Sequence, residues 1–276
     1  MSIFRLWSKT TVPSHGTPPG APFGPQPSGR FLILFEGRTG STWLCNLLGG
    51  HPQIRCQHEI LHARYCPGGQ EAVHRRFREA VSRVGGDGKR VLGLQAKLNQ
   101  LGNADDFREL LVELRVDVIH MKRRNIVKQV NSELRGAELA QNTGQFNLYK
   151  DDDRVPEIAF GRKRFGDMLN RRLKREAAMD DFVRSLPLRK TLLHYEELQL
   201  DREGALGGLF DFLDVPHHDV TVGIPKQPMK HTSDDLREAV LNFDELKSHF
   251  AGTKYESMFD EVLVTSNVTT RRATAA

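Results

Sequence analysis

The chain has 276 residues, 38% hydrophobic and 27% charged, with a formal net charge of +5. That length buries one substantial core, and no apolar run approaches the roughly twenty residues a membrane span needs. Three cysteines, Cys45, Cys56 and Cys66, are too few and odd in number for a disulfide framework, and the mild positive charge suits an anionic ligand without implying nucleic acid.

The first residues, Met1 to Lys9, lack the apolar stretch and small-residue cleavage site of a secretory signal, and a reducing cytoplasm is the expected home. Between Val12 and Gly29 stand six prolines (Pro13, Pro18, Pro19, Pro22, Pro25 and Pro27) and four glycines. Such a segment supplies neither ladder donors nor helical turns, so residues 1–29 read as a flexible tail. The folded domain is expected over 30–264, with a frayed tail over 265–276.

Phe31 to Phe35 is an unbroken apolar run, the mark of a strand buried on both faces. Gly37-Arg38-Thr39-Gly40-Ser41-Thr42 follows. Trp43, Leu44, Leu47 and Leu48 then recur at helical spacing. A strand, a small-residue loop and a helix start make a cradle for a phosphate-like anion, because the first N–H groups of a helix are unpaired and its dipole is positive there. A Walker A loop would place Lys after the last glycine; here Ser41 stands there, and the cation, Arg38, precedes Gly40.

Gly49-Gly50-His51-Pro52 stops the helix. Glu59 follows in a stretch with Cys56, His58, His62 and Cys66. These four soft ligands lack the paired spacing of zinc knuckles, so a polar pocket wall competes with metal binding, and no metal is required. Glu71 to Val84 reads as an amphipathic helix, and Arg90 to Leu94 as a second buried strand with Lys97 just past its end, where ligands of open α/β sheets sit.

Asp105 to Arg115 reads as a helix and Val116 to Met121 as a strand. Arg123, Arg124 and Asn125 follow that strand, with Ser132 eight residues beyond Arg124. An arginine at a strand end offers a planar fork of donors to a phosphate, and Ser132, about two turns along the next helix, faces the same way. Residues 135–156 read as loop-rich, with 142–149 a candidate acceptor wall. Phe165 to Leu186 reads as one long helix or two, with a basic outer face expected to be solvated by default, an anionic acceptor or the nucleotide's 3′ end being lesser alternatives. Thr191 to Leu198 reads as a strand running into Tyr195-Glu196, and Lys226 to Ser233 as a late basic segment.

Arg38-Thr39-Gly40-Ser41-Thr42-Trp43 resembles the 5′-phosphosulfate loop of sulfotransferases, and Arg124-Asn125 with Ser132 resembles their 3′-phosphate motif. The style is closest to bacterial carbohydrate and glycolipid sulfotransferases, including nodulation-factor ones, and the resemblance spans roughly 30–262. It implies an α/β, P-loop-like (nucleotide kinase-like) fold with a mostly parallel sheet flanked by helices. It also implies transfer of a sulfuryl group from 3′-phosphoadenosine 5′-phosphosulfate (PAPS) to a carbohydrate or glycolipid hydroxyl, leaving the 3′,5′-bisphosphate (PAP). Arg38, Thr39, Gly40, Ser41, Thr42, Trp43, Arg124, Ser132 and Lys230 would hold the donor. Glu59 is the implied base, against the alternative of an ordinary surface or capping carboxylate. Lys97 is a candidate for steadying charge on the moving group, or a plain solvated lysine. Tyr195 and Glu196 are expected to be architectural. Cytosolic small-molecule sulfotransferases place a catalytic His after the strand at 90–94; this chain has none there. The rivals are a P-loop nucleotide kinase and a non-catalytic nucleotide-binding protein on the same fold.

Overall fold

The computed structural model describes residues 26–220, 229–230 and 233–263. The predicted tails, as far as they cover 1–25 and 265–276, and residues 226–228, 231 and 232 of the late basic segment lie outside the described residues.

Five strands form one sheet: β1 (Gly29–Phe35), β2 (Ile54–Gln57), β3 (Val91–Ala96), β4 (Asp117–Lys122) and β5 (Lys190–His194). The order is β2-β3-β1-β4-β5, and every pairing is parallel. Parallel neighbours need crossovers, and helices supply them: α1 (Ser41–Gly49), α2 (Gly69–Ser82), α3 (Ala104–Glu113), α4 (Ile126–Thr143) and α5 (Arg162–Ser185). After β5 come α6 (Tyr195–Leu200), α7 (Arg202–Phe212), α8 (Phe243–His249) and α9 (Glu256–Asp260).

The period of two in β1 sorts its side chains onto two cores. Leu32 and Leu34 pack with α2, α3 and the end of α5 through Phe77, Phe107, Met179 and Phe182. Phe31, Ile33 and Phe35 pack on the other face with α1 and α7 through Leu44, Leu47, Leu209 and Phe210. Both faces are covered, which is why the run reads as continuously apolar. A third cluster joins α4, the start of α5, α8 and α9 through Val130, Phe165, Leu246 and Phe259.

The chain leaves β1 toward β2 and β3 on one side and returns for β4 on the other. The C-terminal end of β1 is therefore the topological switch point, where a crevice opens in such sheets. The loop after β1 lies there.

Most predicted elements lie within a few residues of their observed bounds. The exception is the stretch after Ser132. α4 continues to Thr143 and ends on Gly144 in the left-handed region (φ 74). Leu134 and Leu139 are buried along it. Gly136 lies within it at a close approach: a Cβ would sit 3.3 Å from the Phe146 carbonyl and 3.6 Å from the Arg38 guanidinium. Close approach outweighs the helix penalty of about 1 kcal/mol for glycine.

Candidate active site

The loop after β1 has the geometry an anion cradle needs. Gly40 has φ 83 and Arg38 φ 69, both in the left-handed region. A Cβ on Gly40 would lie 2.7 Å from the Tyr195 ring, so that position requires glycine twice over. Arg38 has no such freedom and holds a strained conformation of the kind found at functional sites. The buried Thr39 turns its hydroxyl back to the Glu36 carbonyl at 3.0 Å, bracing the loop rather than facing outward. No side chain caps the start of α1. Its first N–H groups are left for a ligand.

Gly40, Ser41, Thr42 and Trp43 line a cleft of about 310 Å³. Ser132, Asn131 and Lys128 from α4, Arg123 from the end of β4, and Tyr195 and Gln199 from α6 form other walls, with Lys230 and Asp234 at the far side. The Trp43 and Tyr195 rings meet edge to face at 6.3 Å, and the Arg123 guanidinium lies 4.5 Å above Tyr195. Four cations, Arg38, Arg123, Lys128 and Lys230, share this lining with one carboxylate, Asp234. Lys128 is buried and paired with Asp234 at 2.7 Å. Burial, with Arg123 and Lys128 nearby, lowers the Lys230 pKa against the pull of Asp234. Burial, with help from Arg123, likewise brings Arg38 down to about 10.

Arg38 reaches across the sheet end. Its Nε donates to Ser132 Oγ at 2.9 Å, and its Nη1 donates to the Phe146 carbonyl and to Asn147 Oδ1, each at 3.1 Å. Its Nη2 has no hydrogen-bond partner among the described residues.

Two sequence expectations shift. Arg124 lies outside the cleft lining: its Nη2 contacts His194 Nδ1 at 3.2 Å and pairs with Glu197, and its side chain is 51% exposed. Arg123 takes the wall instead. The backbone explains the swap, because Glu196 accepts from the N–H groups of Arg124 and Asn125 at 3.0 and 3.2 Å and turns the chain into α4 at that point. Tyr195, expected to be architectural, stands on the cleft wall, while Glu196 keeps the structural role. Nothing in the local sequence marks Tyr195 or Arg123; only their meeting over Gly40 does.

Glu59 and Lys97 lie outside the cleft lining but beside the same loop. Lys97 donates to Glu59 Oε2 at 2.7 Å, and Gln100 Nε2 donates to the same oxygen at 2.6 Å. Glu59 Oε1 has no hydrogen-bond partner among the described residues. A Cβ on Gly37 would sit 3.8 Å from Lys97 Cε, so the pair abuts the first residue of the loop. The arrangement fixes a carboxylate by one oxygen and presents the other.

The soft-ligand cluster resolves into local bonds. His58 Nδ1 meets Gln95, His62 Nδ1 caps the turn at Arg64, and Cys66 donates to the Ile60 carbonyl. Among the described residues no group of three or more His, Cys, Asp or Glu is arranged for a metal. No helix among them is long and apolar enough to cross a membrane.

No protein-family model matches the chain. It is 27% identical over 243 residues to Nodulation protein H of Rhizobium tropici, an alignment covering 83% of this chain and 92% of that protein. Among solved structures it is similar to a sulfotransferase from Alicyclobacillus acidocaldarius, with TM-score 0.45 and 18% identity over 84% of this chain and 96% of the other. It is also similar to a mouse sulfotransferase complexed with PAP, with TM-score 0.41 and 11% identity over 80% and 67% of the two chains. Arg38 and Ser132, one from each anion motif, thus meet in one cleft, in a chain that is similar over most of its length to Nodulation protein H.

Proposed function

We propose that the chain is a sulfotransferase that takes its sulfuryl group from PAPS and delivers it to a hydroxyl of a carbohydrate or glycolipid. The observation that carries the donor assignment is the Arg38–Ser132 contact, which joins the loop suited to a 5′-phosphosulfate with the residue suited to a 3′-phosphate. Ser132 Oγ already accepts from Arg38, so its own proton is free to donate to phosphate. Trp43 and Tyr195 offer flat surfaces for a base, and the excess of cations matches a polyanionic nucleotide. The carbohydrate assignment rests on the style of the motifs and on the similarity to a bacterial nodulation protein.

Sulfuryl transfer resembles phosphoryl transfer: the groups are aligned and the spreading charge is neutralised. In this reading the N–H groups at the start of α1 and the Arg38 guanidinium stabilise charge on the leaving oxygen. Glu59 takes the acceptor proton on Oε1 while Lys97 and Gln100 hold Oε2, which keeps the base aimed.

The test is thermal unfolding with PAP beside ATP and magnesium. A ligand at 100 times its dissociation constant stabilises a fold by about 2.7 kcal/mol. Stabilisation by PAP and not by ATP with magnesium is the expected result; the reverse would replace this reading with a nucleotide kinase.

A further inference from the structure

A second cleft, of about 240 Å³, opens beside the same stretch of α4 and the loop that follows it. Ser132 and Asn147 line the first, while their chain neighbours Glu133 and Phe146 line the second, and Arg38 bonds to Ser132, Asn147 and the Phe146 carbonyl. The far wall is one stripe of α5: Arg164, Met168, Arg171 and Arg175, at helical spacings of four, three and four.

Like charges on one helical stripe repel, and Arg171 and Arg175 stand in the unfavourable i, i+4 relation. Elsewhere on α5 the arginines are matched: Arg162 with Glu245, Arg184 with Asp181, and buried Arg172 with both Glu36 and Glu133. Arg164, Arg171 and Arg175 pair with no carboxylate among the described residues; Arg171 Nε reaches only the Asp167 carbonyl of its own helix. Arg172 binds the two carboxylates that would otherwise oppose an incoming anion, which leaves the wall net positive. Phe146, 61% exposed, adds an apolar face at the lip.

Through Arg172 the second cleft is tied to the end of β1. Glu36 is bonded to Arg172 at 3.1 Å, and the charges of Arg175 and Lys97 both act on it. Lys97 is the lysine that holds Glu59.

We propose that this cleft is the acceptor subsite and that the acceptor is an anionic saccharide, whose carboxylate or ester anion is held by Arg164, Arg171 and Arg175 while a sugar face rests on Phe146. The proposal deepens the sulfotransferase reading and depends on it. Arginine forks fit carboxylate and phosphate alike, so the experiment separates the two sources.

The full chain, with PAP present, is titrated calorimetrically with cellobiose, with the same disaccharide oxidised to a uronic acid, and with its 6-phosphate. One or both anionic forms should bind at least about tenfold more tightly than cellobiose, and the tighter one identifies the anion. Arg171→Ala combined with Arg175→Ala should erase that preference, and Arg171→Lys should keep part of it. The melting shift with PAP serves as the control for folding and for the donor site. Equal or absent binding of all three sugars, or a preference unchanged in the double variant, overturns the proposal. A wild-type chain that PAP does not stabilise overturns the donor reading instead, whatever the sugars do.

Discussion

Arg38 Nε lies 2.9 Å from Ser132 Oγ, a contact between residues 94 apart in the chain. It joins the loop after β1 to the second turn of α4, and both residues line the first cleft. Ser132→Ala removes the acceptor of the Arg38 Nε–H and, in the proposed donor site, a donor to the nucleotide together. Charge-assisted hydrogen bonds contribute about 1.5–3 kcal/mol, so PAP affinity should fall by roughly ten- to a hundredfold. Calorimetric titration with PAP checks this; an affinity within twofold of wild type would remove Ser132 from the donor site.

The adjacent arginines make contrasting predictions. Arg123 is on the cleft wall, whereas Arg124 is engaged with Glu197 and His194. Arg123→Ala should weaken PAP by about tenfold or more. Arg124→Ala should cost less, because leaving Glu197 offsets much of what a phosphate contact returns. The family resemblance singles out Arg124, so a larger loss in Arg124→Ala would show that it swings from Glu197 onto bound nucleotide.

Glu59 and Lys97 act on the chemical step in the proposed mechanism. Glu59→Gln keeps shape and removes the base, and kcat should fall by roughly 10²- to 10⁴-fold. Lys97→Met should lower kcat less while freeing the Glu59 carboxylate to move. Neither change should alter PAP affinity more than about twofold, since neither residue lines the donor cleft. Initial rates of PAP release, set beside PAP binding, separate the two effects.

His120, on β4, is buried with its Nδ1 3.8 Å from Asp180 Oδ1. Burial pushes its pKa from 6.5 down to about 4, with Asp180 opposing and Lys122 assisting. An unfolded chain therefore binds a proton on this residue near pH 6.5 that the folded chain refuses until about pH 4. Stability should drop as pH falls through that window, by up to about 3 kcal/mol from this group. Denaturant midpoints measured from pH 7 to pH 4 should show the slope, and His120→Gln should flatten it; an unchanged slope in the variant would assign it to other groups.

Much of this could be read along the chain because it is local. The five-residue apolar run needed only its own pattern to be a strand covered on both sides, and the glycines and hydroxyls after it needed only their order to be the turn into a helix start. The positions of Lys97 just past β3 and Ser132 within α4 followed from the same short-range periodicities. Tertiary structure alone decided which arginine faces the cleft, because Glu196 sets the turn from 71 residues away. It placed Tyr195 over Gly40, carried α4 through Gly136, and paired buried Arg172 with Glu36 across 136 residues. It also turned a basic helix face, which reads as solvated, into the wall of a second cleft. Side-chain partners so far apart in sequence leave no trace in local spacing; they are selected by which strand ends and helix faces the parallel sheet brings together.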